Sequence, residues 1–326
     1  MFSAILLAGY NNKRAVKKYS RLVAEHYGEE FIESGYKPLR EFEIMEGRKK
    51  ITKPIIQFTL EKLYDSDLID EIIIVGHQML LEQRLGRVIE KYKKPCKIIN
   101  QNSRIPQSAV NLFNIDLKKM KHNSLASNVI KAYTASKAYK DKKHILLVAS
   151  DSPMTTKEYI EKFINISSQY LKDSALVVPA VYIPGTRDRL GRKPLLLKND
   201  TDIKVSDRTD KSGRQGFRLS SLMIINPNHF DVNSANTAYN LRKAISPKIQ
   251  LKVFNTTREL GYKNVYSKYF IKKDLSVKEC ENITSSFFKG KVTIIPIEAE
   301  ESTYDYDGTK GEYRGISKML KKGKIS

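Results

Sequence analysis

Cysteine is nearly absent from this chain of 326 residues: there are two, Cys96 and Cys280. They lie far apart and form no CxxC pair, which excludes a cysteine-built zinc site and fits a reducing compartment. Long apolar runs are absent too. No stretch approaches the roughly 20 apolar residues that span a bilayer. The opening run from Phe2 to Ala8 has no basic segment before it and is too short for a secretory signal. Histidine is scarce as well, and His26, His77, His122, His144 and His229 have no catalytic or metal-ligand spacing. A cytoplasmic, soluble protein is expected.

What the chain has in excess is positive charge. Its 58 Lys and Arg against 36 Asp and Glu give a formal net charge of +22. Such a balance suits anionic partners, whether nucleic acid, lipid or small phosphorylated molecules. The lysines are spread over almost every expected helix, and the one dense run is Lys318 to Lys324. No zinc knuckle, RNP-type aromatic strand or GXXG clamp is present. A general surface bias that favours anionic substrates is preferred over a nucleic-acid patch.

Hydrophobic residues at 40% and charged residues at 29% describe a globular chain. Apolar runs at Phe2–Ala8, Asp70–Gly76, Cys96–Asn100, His144–Ala149 and Ala175–Pro179 read as buried strands. Helical spacing is expected at Lys53–Tyr64, Met79–Tyr92, Leu125–Tyr139 and about Thr156–Leu171. Strands of continuous Val, Ile and Leu alternating with amphipathic helices predict a mostly parallel sheet covered on both faces, an α/β fold. Beyond residue 185 shorter strands follow (Pro194–Lys198, Phe217–Ile225), then helices between about 236 and 288. A last strand, Lys291–Pro296, precedes an acidic loop and a terminal helix. No internal repeat is visible.

In open sheets of this kind ligands bind beyond the carboxyl ends of the strands, which selects the loops after Ala8, Val75, Asn100 and Ala149. Gly9 and the cations after it suit phosphates or simply make a turn. Lys37, fixed beside Pro38, is a point charge for a phosphate or an ordinary surface lysine. Asp151, after the most hydrophobic strand, suits Mg²⁺ held against a triphosphate or an N-cap. Asp305 and Asp307 open the last helix, where capping and metal binding both explain Asp307.

In this order the pieces are more specific than any one alone: AILLAG, Arg14, Lys37-Pro38, Thr52-Lys53-Pro54-Ile55-Ile56, Ser150-Asp151-Ser152-Pro153, Asn123–Asn128 and YDYDGTKGEYR. Together they resemble the MobA-like nucleotidyltransferases of the sugar-phosphate nucleotidyltransferase superfamily, over residues 1 to about 180 and again near 305. The resemblance implies a GT-A-type Rossmann-like three-layer α/β/α fold. It implies a single domain over 1–326, with a nucleotide-binding core at 1–180 and an acceptor-binding part with a helical elaboration at 181–326. The implied reaction is Mg²⁺-dependent transfer of a nucleoside monophosphate from an NTP to a small phosphorylated acceptor, with release of pyrophosphate.

The site implied has Arg14 and Lys37 on the triphosphate, Asp151 and Asp307 as Mg²⁺ ligands with Asp305 in reserve, and Leu7, Ala8, Gly9, Tyr10 and Asn11 forming the nucleotide loop. Gly76, His77, Gln101 and Asn128 lie near base or ribose. The segment Gly185–Lys193 has no strict family counterpart. It reads either as an acceptor-phosphate clamp of Arg189, Arg192 and Lys193 or as a solvated basic hairpin. The chain departs from the family in having Tyr10 for the usual second glycine, and in a long insert between Arg14 and Lys37 whose segment Val16–Phe31 reads as a helix. A glycosyltransferase using a nucleotide sugar and a non-catalytic nucleotide- or RNA-binding protein are the alternatives.

Overall fold

The computed structural model describes residues 1–9, 30, 36–46, 49–113, 115, 123–229, 231, 234 and 255–321. The expected helix at Val16–Phe31, the residues Tyr10, Asn11 and Arg14, and the stretch 235–254 lie outside the described residues, Glu30 apart.

The most apolar segments form the sheet. Strand β1 (Phe2–Ala8) lies parallel between β4 (Ile69–Gly76) and β6 (Ile145–Ala149), and β5 (Cys96–Asn100) extends the parallel set beyond β4. Ala4, Ile5, Leu6, Ile72, Ile73 and Ile74 are fully buried, because both faces are covered. Side chains of this type contribute roughly 1.5–3 kcal/mol each on burial. The first helix, α1 (Ile55–Asp65), sets Ile56, Leu60 and Leu63 against one face. It is followed by α2 (Gln78–Ile89), α3 (Gln107–Leu112), α4 (Leu125–Thr134) and the short α5 (Lys137–Lys140). Helix α4 sets Val129, Ala132 and Tyr133 against the other face.

Past β6 come α6 (Lys157–Ser167), β7 (Leu176–Ile183), β8 (Leu195–Leu197), β9 (Gln215–Leu219) and β10 (Leu222–Ile225). The strand order of the nine-stranded sheet is β5-β4-β1-β6-β10-β7-β9-β8, with β11 (Val292–Ile297) paired parallel to β7. Strands β9 and β10 both lie antiparallel against β7, on its later and earlier residues respectively. The single strand expected at Phe217–Ile225 is thus interrupted at Ser220 and Ser221. Helices α7 (Val277–Phe288) and α8 (Lys310–Lys321) complete the elements used below. The fold is a mostly parallel central sheet between helical layers, as expected.

Two local expectations change. The helix expected from Lys53 begins at Ile55, because Lys49–Pro54 forms β3, paired antiparallel with β2 (Glu41–Glu46). The helix expected over Leu125–Tyr139 stops at Thr134, and Ser136 caps α5 by accepting a hydrogen bond from the Tyr139 N–H. The β2–β3 hairpin owes its apolar partners to distant chain. Phe42 packs with Ile55, Met154, Tyr304, Tyr306, Ile316 and Leu320 in a cluster of its own. That cluster ties the hairpin, the loop after β6 and helix α8 together at the carboxyl end of the parallel strands. No helix among the described residues is long and apolar enough to cross a membrane.

Candidate active site

The parallel strands β1, β4, β5 and β6 end on one side of the sheet, and their following loops converge there. Tyr36 joins the first two. Its hydroxyl donates to the Ala8 carbonyl and accepts from the His77 N–H at 3.1 Å. Gly76 makes room for this bridge: a methyl group built there would lie 2.5 Å from the Ala8 oxygen and 2.8 Å from Leu81 Cδ1, and would also meet the Tyr36 hydroxyl. Ala8 and Gly76 face each other across the strand pair.

Beside this bridge lies a polar crevice. A methyl on Gly9 would stand 3.2 Å from both Asn128 Nδ2 and Gln101 Oε1. Gln101 is fully buried, and its backbone N–H reaches the Gly76 carbonyl at 2.9 Å. Asn128, on the first turn of α4, is 5% exposed, and its Oδ1 is buried without a hydrogen-bond partner. An orphaned amide oxygen in a tight crevice is costly unless something else donates to it. Lys131, one turn further along, donates to the Gln101 carbonyl at 2.5 Å, and burial brings its ammonium pKa down to about 8.

The charged centre lies after β6. Lys37 Nζ sits 2.7 Å from Asp151 Oδ2 and 3.4 Å from Asp307 Oδ1. The Asp151 carbonyl accepts the Tyr306 N–H at 2.9 Å, so the loop after β6 and the acidic segment before α8 are hydrogen-bonded at this point. Burial works against the Lys37 charge, but Asp151 and Asp307 outweigh it and hold the ammonium well above the ordinary lysine range. Asp307 moves the opposite way to most paired carboxylates. Burial raises its pKa, and repulsion from Asp305 and Asp151 adds to that against the attraction of Lys37.

Behind Asp307 stands Glu312, 4% exposed. It accepts the Asp307 N–H at 2.9 Å and the Thr309 N–H at 3.4 Å, while its own N–H donates to Thr309 Oγ1 at 3.1 Å. This is a capping box for α8. Burial, with Asp307 and Asp305 adding to it, pushes the Glu312 carboxyl up to about 8.

A second ion cluster adjoins the first. The segment Asp188-Arg189-Leu190-Gly191-Arg192 closes on itself: Asp188 Oδ1 accepts the Leu190 and Arg192 N–H groups, and Oδ2 accepts Arg192 Nε, each at 2.9 Å. Gly191 takes φ +81° to complete the turn. The Arg192 guanidinium, 3% exposed, also donates to Asp305 and, at 2.6 Å, to the Thr303 carbonyl. Burial opposes ionisation of Asp305, but Arg192, Arg218 and Lys37 hold it at about 2. The same D-x-x-G-R turn recurs at Asp210–Arg214, with Gly213 at φ +73° and Asp210 bound to the Ser212 and Arg214 N–H groups and Arg214 Nε.

Of the residues named from the sequence, the structure brings Lys37, Asp151 and Asp307 into contact. It joins Gly9, Gln101 and Asn128 in one crevice, and Ala8, Gly76 and His77 around Tyr36. Leu7 passes its carbonyl to the Ser150 N–H at 3.3 Å, linking the ends of β1 and β6. Arg14, Tyr10 and Asn11 lie outside the described residues. Arg192 is committed to buried carboxylates, Arg189 is exposed and pairs with Glu301 at 3.6 Å, and Lys193 is exposed. The sequence reading assigned no role to Tyr36, Glu312 or Arg218. Tyr36 adjoins Lys37-Pro38, and the Thr309-x-x-Glu312 spacing carries its own capping signal.

No family model matches the sequence, and no curated protein is recognisably similar to it. Among solved structures, a hypothetical transferase from Thermus thermophilus matches with a TM-score of 0.54 at 16% identity, over 94% of this chain and 96% of that one. A CMP:2-keto-3-deoxy-manno-octonic acid synthetase complexed with CTP matches with a TM-score of 0.52 at 10% identity, over 98% of each chain. What is shared is the fold, a mostly parallel α/β sheet between helical layers. The likeness at these identities is one of fold, and it runs nearly the whole length of the chain. The Lys37–Asp151–Asp307 centre lies at the carboxyl ends of the parallel strands, where α/β sheets hold ligands.

Proposed function

We propose that this chain is a Mg²⁺-dependent nucleotidyltransferase that moves a nucleoside monophosphate from an NTP to a small phosphorylated acceptor and releases pyrophosphate. The observation that carries this reading is the meeting of Lys37, Asp151 and Asp307 beside the crevice of Gly9, Gln101 and Asn128. A cationic point charge and two hard oxygen donors stand next to a buried, incompletely satisfied amide, as a nucleoside triphosphate requires.

The donor set fits magnesium. Asp151 and Asp307 offer carboxylate oxygens, and burial, with repulsion from Asp305 and Asp151, raises the Asp307 pKa against the attraction of Lys37, a penalty on its charge that a bound cation would offset. Among the described residues no group of three or more His, Cys, Asp or Glu could hold a metal by itself. Magnesium is commonly held by one or two carboxylates together with substrate phosphates. When bound, the ion would neutralise charge on the triphosphate.

Lys37 stays charged throughout the neutral range and attracts the triphosphate, with Arg14 as its proposed companion. The Gly9 crevice and the Gly76–His77 corner orient base and ribose. An acceptor phosphate oxygen attacks the α-phosphorus, forming a new phosphorus–oxygen bond as the bond to the leaving pyrophosphate breaks. The nucleophile is already anionic, so no general base is needed, and positioning with charge neutralisation is the main task. Asp305, tied to Arg192, is not free to complete the D-x-D metal pair that a glycosyltransferase would use. The test is Mg²⁺-dependent pyrophosphate release from each of the four NTPs against a pool of phosphorylated sugars, polyols and cofactor precursors. Release with one NTP and one acceptor class supports the reading, and silence together with failure to bind any NTP overturns it.

A further inference from the structure

We infer that Arg218 on β9 receives the anionic group of the acceptor, making a phosphate-binding end of the site opposite Lys37; this rests on the transferase reading. Two basic residues of the Asp188–Lys193 turn, Arg189 and Arg192, are near at hand in sequence, but each is already held by carboxylates. Arg192 spends its Nε on Asp188 and its terminal nitrogens on Asp305 and the Thr303 carbonyl. The recurrence of the same turn at Asp210–Arg214, with the same Asp–Arg closure, shows this to be a way of folding the backbone. Arg189 is turned to Glu301, and its backbone N–H to Glu300.

Arg218 is different. Its side chain is 21% exposed, its Nε is buried without a hydrogen bond, and its one ion pair among the described residues is a long 3.6 Å approach to Asp188. Asp188 is itself fully buried and already takes two backbone N–H groups and the Arg192 Nε. The guanidinium therefore has donors left over. Strand β9 fixes where it sits: Arg218 lies opposite Val181, near the end of β7 and just before the turn that carries Asp188. Arg192 holds Asp188, the partner of Arg218, together with Asp305, and two residues on Asp307 meets Lys37. With Lys37 at the triphosphate end, Arg218 stands at the other end of this chain of ion pairs. A planar fork with free donors suits a phosphate monoester, which it can hold with two parallel hydrogen bonds.

The test uses the full chain saturated with Mg²⁺ and the NTP it binds, titrated calorimetrically with inorganic phosphate as a stand-in for the acceptor's anionic group. Wild type is expected to bind phosphate under these conditions. Arg218→Met should weaken phosphate roughly 10- to 100-fold, the loss of a charge-assisted hydrogen bond or two, while NTP affinity stays within about twofold. Arg218→Lys keeps the charge without the fork and should fall between them, which guards against a folding defect in the Arg218→Met variant. Phosphate affinity unchanged in both variants, or no phosphate binding by an NTP-loaded wild type, overturns the assignment while leaving the transferase reading intact. Equal loss of NTP and phosphate binding in a folded Arg218→Lys also overturns it. Failure of wild type to bind any NTP strikes at the transferase reading instead.

Discussion

Replacing Lys37 by Met removes the cation that touches both Asp151 and Asp307 and leaves its aliphatic volume in place. Taking one partner from a fully buried ion pair costs about 3–5 kcal/mol, because the survivor keeps its charge without compensation. Here the three side chains retain 20% to 27% exposure, so water meets part of that cost. We therefore expect a loss of about 1–3 kcal/mol near neutral pH in the absence of Mg²⁺. Asp307 loses an attraction that lowers its pKa, so the deficit should shrink as the pH falls and Asp307 protonates. Magnesium should recover more stability in the variant than in wild type. A ligand at 100 times its Kd adds about 2.7 kcal/mol, enough to offset most of the loss. The assay is urea denaturation of both proteins, with chelator and with Mg²⁺, comparing midpoints at unchanged slope. A Lys37→Met variant within about 0.5 kcal/mol of wild type, and equally indifferent to Mg²⁺, would show that Lys37 and the two carboxylates are not electrostatically joined.

Two further predictions follow from neighbouring residues. The Glu312 carboxyl is held at about 8 against an ordinary 4.5, so between those values the folded chain keeps a proton that the unfolded chain releases. Stability should fall as the pH rises through that window and level off above it. Glu312→Gln, which keeps an acceptor for the Asp307 and Thr309 N–H groups, should abolish that slope in metal-free denaturation series; an unchanged slope would place the titration elsewhere. Gly76→Ala should cost about 1–3 kcal/mol by chemical denaturation, since the Ala8 carbonyl and the Tyr36 hydroxyl have nowhere to retreat. A change below about 0.5 kcal/mol would mean that the Tyr36 bridge is not tight.

Much of this architecture was legible because it is locally encoded. The run Phe2–Ala8 is apolar enough to declare a buried strand with its observed limits, and Cys96–Asn100 a strand with its observed limits, although at the sheet edge it buries none of its residues. Gly9 and Asp151 stood out because they follow parallel strands, Lys37 because it adjoins Pro38, and Asp307 because it lies in the acidic stretch that opens the last helix. The parts that escaped depend on distant partners. Phe42 and Ile44 alternate as a strand should, but much of the apolar surface that hairpin packs against comes from Tyr306, Tyr313 and Ile316, more than 260 residues on. Arg192 looked like a solvent-facing cation because Asp305, which buries it, lies 113 residues away. Arg218 sits in a strand whose other residues carry no functional signal, and its donors stand out only once Asp188 and Arg192 are seen to be mutually satisfied. Glu312 had a local signal, the Thr309-x-x-Glu312 capping spacing, that the sequence reading passed over.

The proposed reaction transfers an α-phosphorus at the Lys37–Asp151–Asp307 centre. Label can be followed from an NTP carrying radioactive phosphorus at the α position, with Mg²⁺ and the acceptor pool, in wild type and in Asp151→Ala. Label should enter a new organic product in wild type, and transfer should fall by a factor on the order of 10²–10³ or more in the variant, which should remain folded. Label that stays in the NTP, transfer from the γ position instead, or an Asp151→Ala chain as active as wild type would contradict the proposed reaction.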